Sequence, residues 1–145
     1  MINSIIEGIS AALNMEFGDD YKIYVEKKEQ GLKEPCFFIL SINPTHKLFL
    51  GTKDGRKRYF KENSFCIHYF PSDKLNPRTE IHSVCEQLED CLEWITVDGD
   101  LIRGTQIHYE IEDDVLLFFI NYDLFTYKTQ EETAMDEFDL TQSVE

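Results

Sequence analysis

A chain of 145 residues that is 42% hydrophobic and 13% aromatic carries enough apolar material for one filled core, which excludes an intrinsically disordered protein. Its formal net charge of −14 opposes binding to bare nucleic acid, because the phosphates would repel most of the surface. No apolar run is long enough to cross a bilayer, and no basic segment followed by an apolar block opens the chain, so the expectation is a protein that stays in the cytoplasm without a membrane partner.

The chain opens on an amphipathic pattern. Ile2, Ile5, Ile6, Ile9, Leu13 and Phe17 recur at spacings of three and four, Ser4-x-x-Glu7 suggests a capping box, and Gly18-Asp19-Asp20 ends the helix. Tyr21, Ile23 and Val25 then alternate with Lys22, Tyr24 and Glu26 as a first strand. A second strand is predicted over about 36–42, with Asn43-Pro44 as a turn and Leu48-Phe49-Leu50 extending the pairing. A basic loop from Gly51 to Lys61 follows, then a strand over 65–70 that Pro71 closes, since proline cannot donate to the ladder. Asn76 and Pro77 suit the cap and first position of a second helix, whose buried stripe is Ile81, Val84, Cys85, Leu88, Leu92 and Ile95.

After this helix, Asp98-Gly99 marks a tight turn, and two strands fold back through Glu112-Asp113-Asp114. Ile107, Tyr109 and Ile111 alternate with Gln106, His108 and Glu110, which predicts one dry and one wet face. The partner run, 115–120, is apolar on both faces and needs a cover on its second side, from a helix of this chain or from a neighbouring subunit. The order of elements predicts an α+β fold: a mixed or antiparallel sheet of about 4 to 6 strands with two main helices packed on one face. Residues 1–128 read as a single domain, and 129–145 as an acidic, disordered tail.

Chemistry is sparse along this pattern. Cys36, Cys66, Cys85 and Cys91 form no CxxC pair and sit in apolar stretches, so they read as reduced core thiols. His82 and Cys85 stand three apart with Glu86 and Glu89 nearby, but a structural zinc site needs four ligands and no second cluster is present. Cys66 and His68 share a strand face without a third orienting group or an oxyanion hole. Glu110, Glu112, Asp113 and Asp114 read as a solvated turn, and 51–58 lacks the order of a phosphate-binding loop. The expectation is therefore no catalytic residue, no metal and no cofactor. What remains is the cluster Lys53, Arg56, Lys57, Arg58, Tyr59, Phe60 and Lys61, basic and aromatic on an acidic chain, which reads either as a mobile solvated loop or as contact with a second copy or another acidic partner.

Four blocks carry a likeness to a known family: 31–38, 65–72, 93–104 with its Trp94-Ile95-Thr96-Val97-Asp98-Gly99 core, and 118–122. Together they resemble the small tail-terminator (tail-completion) proteins of phages and prophages of Gram-positive bacteria. The resemblance implies a structural, non-enzymatic assembly protein that caps the tail tube as a homo-hexameric ring, stops elongation and offers the head-joining surface. Its implied partners are itself, the tail-tube protein and a neck or head-connector protein. Its implied place is the host cytoplasm during assembly and the head–tail junction of the virion afterwards. A neck or head-completion adaptor and, further off, a small-ligand-binding protein are the alternatives.

Overall fold

The computed structural model describes residues 1–26, 33–51 and 55–128. It contains α1 (Ile2–Phe17), β1 (Lys22–Val25), β2 (Cys36–Gly51), β3 (Lys57–Phe70), α2 (Pro77–Cys91), β4 (Trp94–Val97), β5 (Asp100–Arg103), β6 (Thr105–Glu112), β7 (Val115–Asn121) and β8 (Leu124–Lys128). The fold is α+β. The main sheet runs β1-β2-β3-β7-β6 with β8 also paired to β3, and β4 with β5 forms a separate hairpin. The sheet is mixed because β1 lies parallel to β2, whereas β7 is antiparallel to both β3 and β6.

Two compact units make up the chain: 1–43 with 63–122, and 44–62 with 123–145. In the first unit the apolar spacing of α1 buries Ile5, Ile9 and Leu13, and that of α2 buries Ile81, Val84, Cys85 and Leu88. The helices touch one another, and their stripes share a core with Phe37, Ile39, Phe65, Ile67, Phe118 and Ile120 of the sheet. Each such side chain contributes about 1.5–3 kcal/mol relative to leaving it in water. Two polar groups close the core. The buried Tyr122 donates its hydroxyl to the Leu92 carbonyl, and Asn63, 3% exposed, receives the Tyr122 N–H at 2.8 Å on its own carbonyl while its Nδ2 donates back to the Tyr122 carbonyl at 3.0 Å.

Several local expectations need correction. Helix α1 starts at Ile2 with Met1 as its cap and no side-chain cap bond, so Ser4 lies inside the helix and forms no capping box with Glu7. Asn76 and Pro77 do open α2, though the Asn76 side chain makes no cap bond. Ile95 is buried from β4, because α2 stops at Cys91 and the chain reverses through Asp98 and Gly99, both at positive φ. That pair of left-handed residues is what a two-residue hairpin of the observed twist requires. Asp113 and Asp114, at φ 50 and 58, repeat the device between β6 and β7.

Asn43-Pro44 is no turn: β2 continues through it to Gly51, and β3 begins at Lys57. Face-sharing neighbours reveal what happens there. Phe37 packs on Tyr69 and Phe38 on His68, but further along Thr45 meets Glu62, His46 stacks on Tyr59, and Arg58 lies over Phe49. Odd-with-odd pairing has become odd-with-even, so β2 carries one extra residue, a β-bulge, and Asn43 at φ 43 marks it. On β7, Leu116, Phe118 and Ile120 are buried, while Val115, Leu117 and Phe119 on the second face are half-buried, with His108 stacked on Phe119. The dry face expected of β6 is only partly dry: Ile107 and Ile111 are half-buried and Tyr109 is exposed. The proposed tail, 129–145, lies outside the described residues.

Candidate functional site

The second unit is where the basic and aromatic residues sit. The distal part of β2, the first part of β3 and β8 form three strands, with Lys57 to Lys61 of β3 in register with Lys128 to Leu124 of β8. Strand alternation divides the expected cluster between two faces. One face carries Arg58 and Phe60. The guanidinium of Arg58 lies 3.9 Å from the centroid of Phe125, 5.3 Å from Phe49 and 5.6 Å from Tyr127, and Phe60 packs on Phe125 at 5.0 Å. The other face carries Lys57, Tyr59 and Lys61, with His46 stacked on Tyr59 at 4.4 Å. Arg56 is exposed just before the strand, and Lys53 lies outside the described residues. The basic loop is thus shorter than expected, because Lys57 to Lys61 belong to β3.

Sequence reasoning left Phe49, Phe125 and Tyr127 out of this cluster. All three are exposed, Phe49 by 59% and Tyr127 by 70%, and Leu48 and Leu50 beside them are equally open. Phe49, Phe125 and Tyr127 gather on the Arg58 face while Leu48 and Leu50 alternate to the other, and a group of exposed apolar rings of this kind marks an interaction surface. The Nε of Arg58 is buried among the rings with no hydrogen-bond partner. Glu62 lies on the same face. It accepts from Thr45 at 2.7 Å and pairs with Lys47 at 3.2 Å, and those two contacts hold its carboxyl below the ordinary range.

The first unit offers a different surface. Helix α1 comes so close to β4 that a Cβ on Gly8 would stand 2.6 Å from the Thr96 carbonyl, which only glycine avoids. Beside this contact opens a groove of about 340 Å³, lined on α1 by Gly8, Ala11, Met15 and Glu16 and opposite by Cys91 and Trp94. Met15 is 90% exposed and Trp94 52%, and Leu101, opposite Thr96 in the β4–β5 register, is 68% exposed. Burial pushes the Cys91 thiol up to about 12, and the nearby carboxylates of Glu16 and Asp90 push the same way.

Other candidate residues sit in unremarkable surroundings. Cys85 is buried in the core while His82 is exposed with its ring edge-on to Tyr109. Cys66 is buried, and burial, then Glu110, raises its thiol to about 11, so it is a poor nucleophile at neutral pH. His68 on the same face packs edge-on to Phe38. Asp113 and Asp114 line a shallow cleft with Asp73 and Lys74. Among the described residues no three His, Cys, Asp or Glu side chains are grouped to hold a metal ion, and no helix is long and apolar enough to cross a membrane.

Two apolar surfaces and an otherwise filled core suit an assembly component, and comparison with known proteins agrees. Residues 4–134 match the family described as phage tail terminator protein. The chain belongs to the phage tail terminator family. In fold, this member is similar to the sheath/tube terminator of an extracellular contractile injection system, PVC, in its extended state, with a TM-score of 0.51 and 12% identity. The likeness covers 100% of this chain and 63% of that one, so this chain spans under two thirds of the length of that structure. A second solved chain aligns at 12% identity over 86% of this chain and 95% of its own, with a TM-score of 0.43. No curated protein matches the sequence.

Proposed function

We propose that copies of this chain close a homo-hexameric ring on the last ring of tail-tube protein, halt its polymerisation and present the surface to which the head is joined. The observation that carries this reading is the family match across residues 4–134, nearly the whole chain. Membership makes the protein a tail-completion component; the ring, its hexameric count, the head connector and the place at the head–tail junction are the further steps proposed here. Such a protein works by shape, needing neither catalytic residue nor cofactor, and it would serve a phage or prophage alike. The residues proposed for contact are Lys53, Arg56, Lys57, Arg58, Tyr59, Phe60 and Lys61. Phe49, Phe125 and Tyr127 supply the exposed apolar area that a stable contact needs beside those charges.

The test is direct. Purified protein added to polymerising tube subunits should arrest growth at amounts far below one copy per tube subunit, with ring-shaped density at one tube end in negative stain. Tubes that lengthen unchanged in its presence would reject the proposal.

A further inference from the structure

A ring closed by rotation needs two different, complementary patches on each chain, because each subunit meets its neighbours head to tail. Two unlike apolar surfaces are present. One projects exposed aromatic rings around a cation: Phe49, Phe125 and Tyr127 with Arg58. The other is concave, the α1/β4 groove with small residues at Gly8 and Ala11, apolar walls at Met15 and Trp94, and Glu16 as the charged residue of its lining.

Resting on the ring reading above, we propose that the Phe49–Arg58 face of one copy docks in the α1/β4 groove of the next. Charge selects the occupant. The aromatic face carries Arg58, with Arg56, Lys57 and Lys47 exposed at neighbouring positions, on a chain of net charge −14. The groove is bordered by acid: Glu16 in its wall, and Asp90 close enough to bear on the Cys91 thiol. Arg58 is half-buried on the aromatic face, while the carboxylate of Glu16 accepts a 3.3 Å contact from Gln87. Guanidinium against carboxylate, ringed by aromatic and thioether side chains, is the chemistry of a central interface anchor. A second copy supplies both halves at the same concentration, which no other single partner does.

Head-to-tail docking makes a prediction that a self-complementary contact does not. Phe49→Asp spoils the projecting face and leaves the groove intact. Ala11→Lys, at an exposed helix position, fills the groove with a cation and leaves the face intact. In analytical ultracentrifugation of the full chain, each variant alone should be monomeric where wild type forms rings, and an equimolar mixture should give a one-to-one dimer that grows no further. The dimer itself shows that both variants are folded. Glu16→Arg with Arg58→Glu, combined in one chain, should restore at least part of the association that either change abolishes. Rings that form from either single variant, or a mixture that stays monomeric beside a wild type that assembles, overturn the docking while leaving the ring reading in place. A wild type that stays monomeric at all concentrations and on tube ends overturns both.

Discussion

Glu80 holds together the turn that leads into α2. Its carboxylate accepts from the Tyr69 hydroxyl, from the Ser72 amide at 2.9 Å and from the Asp73 amide at 2.8 Å. Burial by itself would raise its pKa, but the bonds from Tyr69, Ser72 and Asp73 outweigh it and hold the group below its ordinary value of 4.5. A carboxyl depressed in the folded state contributes stability that is complete above the unfolded pKa and is lost as pH falls through the folded one. Glu80→Gln should therefore cost about 1–3 kcal/mol at pH 7, from hydrogen bonds to a charged acceptor. That difference should shrink steadily below about pH 4.5 as the wild-type group protonates. Denaturant titrations of both proteins across pH 3 to 7 check this, and parallel curves would show that Glu80 carries no such load. Gly8 is the second sensitive point: Gly8→Ala forces a methyl to within 2.6 Å of a backbone carbonyl that cannot rotate away. A loss of about 1–3 kcal/mol is expected from such overpacking, visible as a lower Tm.

At the level of elements, the second unit depends on the packing of Arg58 against its rings. A cation between partly covered aromatic faces is worth about 0.5–2 kcal/mol, whereas the exposed Lys57 has little packing to lose. Arg58→Ala should thus accelerate amide exchange across 57–61 and 124–127 and leave α2 untouched, while Lys57→Ser leaves both as they were. Unchanged exchange in Arg58→Ala would show that the rings pack without the cation. This strand also explains what could be read in the sequence. Helices α1 and α2 and the β6–β7 hairpin announced themselves because burial on one face imposes a period on the residue types. Residues 57–61 hid as a basic loop because neither face of that strand is buried, so no apolar period is written there. The bulge at Asn43 was hidden for a related reason, since Asn-Pro signals a turn locally and only cross-strand partners disclose that the strand goes on. The groove was invisible for a third: Ala11 and Met15 come from α1 and Trp94 from β4, far apart in sequence, and their exposure is a fact of packing.

For the whole molecule, size and charge frame the functional prediction. On the proposed ring reading several copies of a chain with a net charge of −14 sit together, and copies of like charge repel unless a defined contact joins them. In that proposal the last ring of the tube would be the surface on which copies gather. Removal of the protein then has a specific consequence, because tube subunits would meet nothing that halts their stacking. Cells making the phage without this chain should accumulate DNA-filled heads that remain unjoined, beside tails of irregular and excessive length. A neck or head-completion adaptor would produce a different picture, with tails of normal length and the defect confined to the head side. Electron micrographs of a deletion lysate separate the two, and restoring the chain from a plasmid should return both tail length and joined particles. Tails of wild-type length in the deletion would reject the terminator assignment in favour of the adaptor, since an adaptor that joins after the tube is finished has no contact with its growing end.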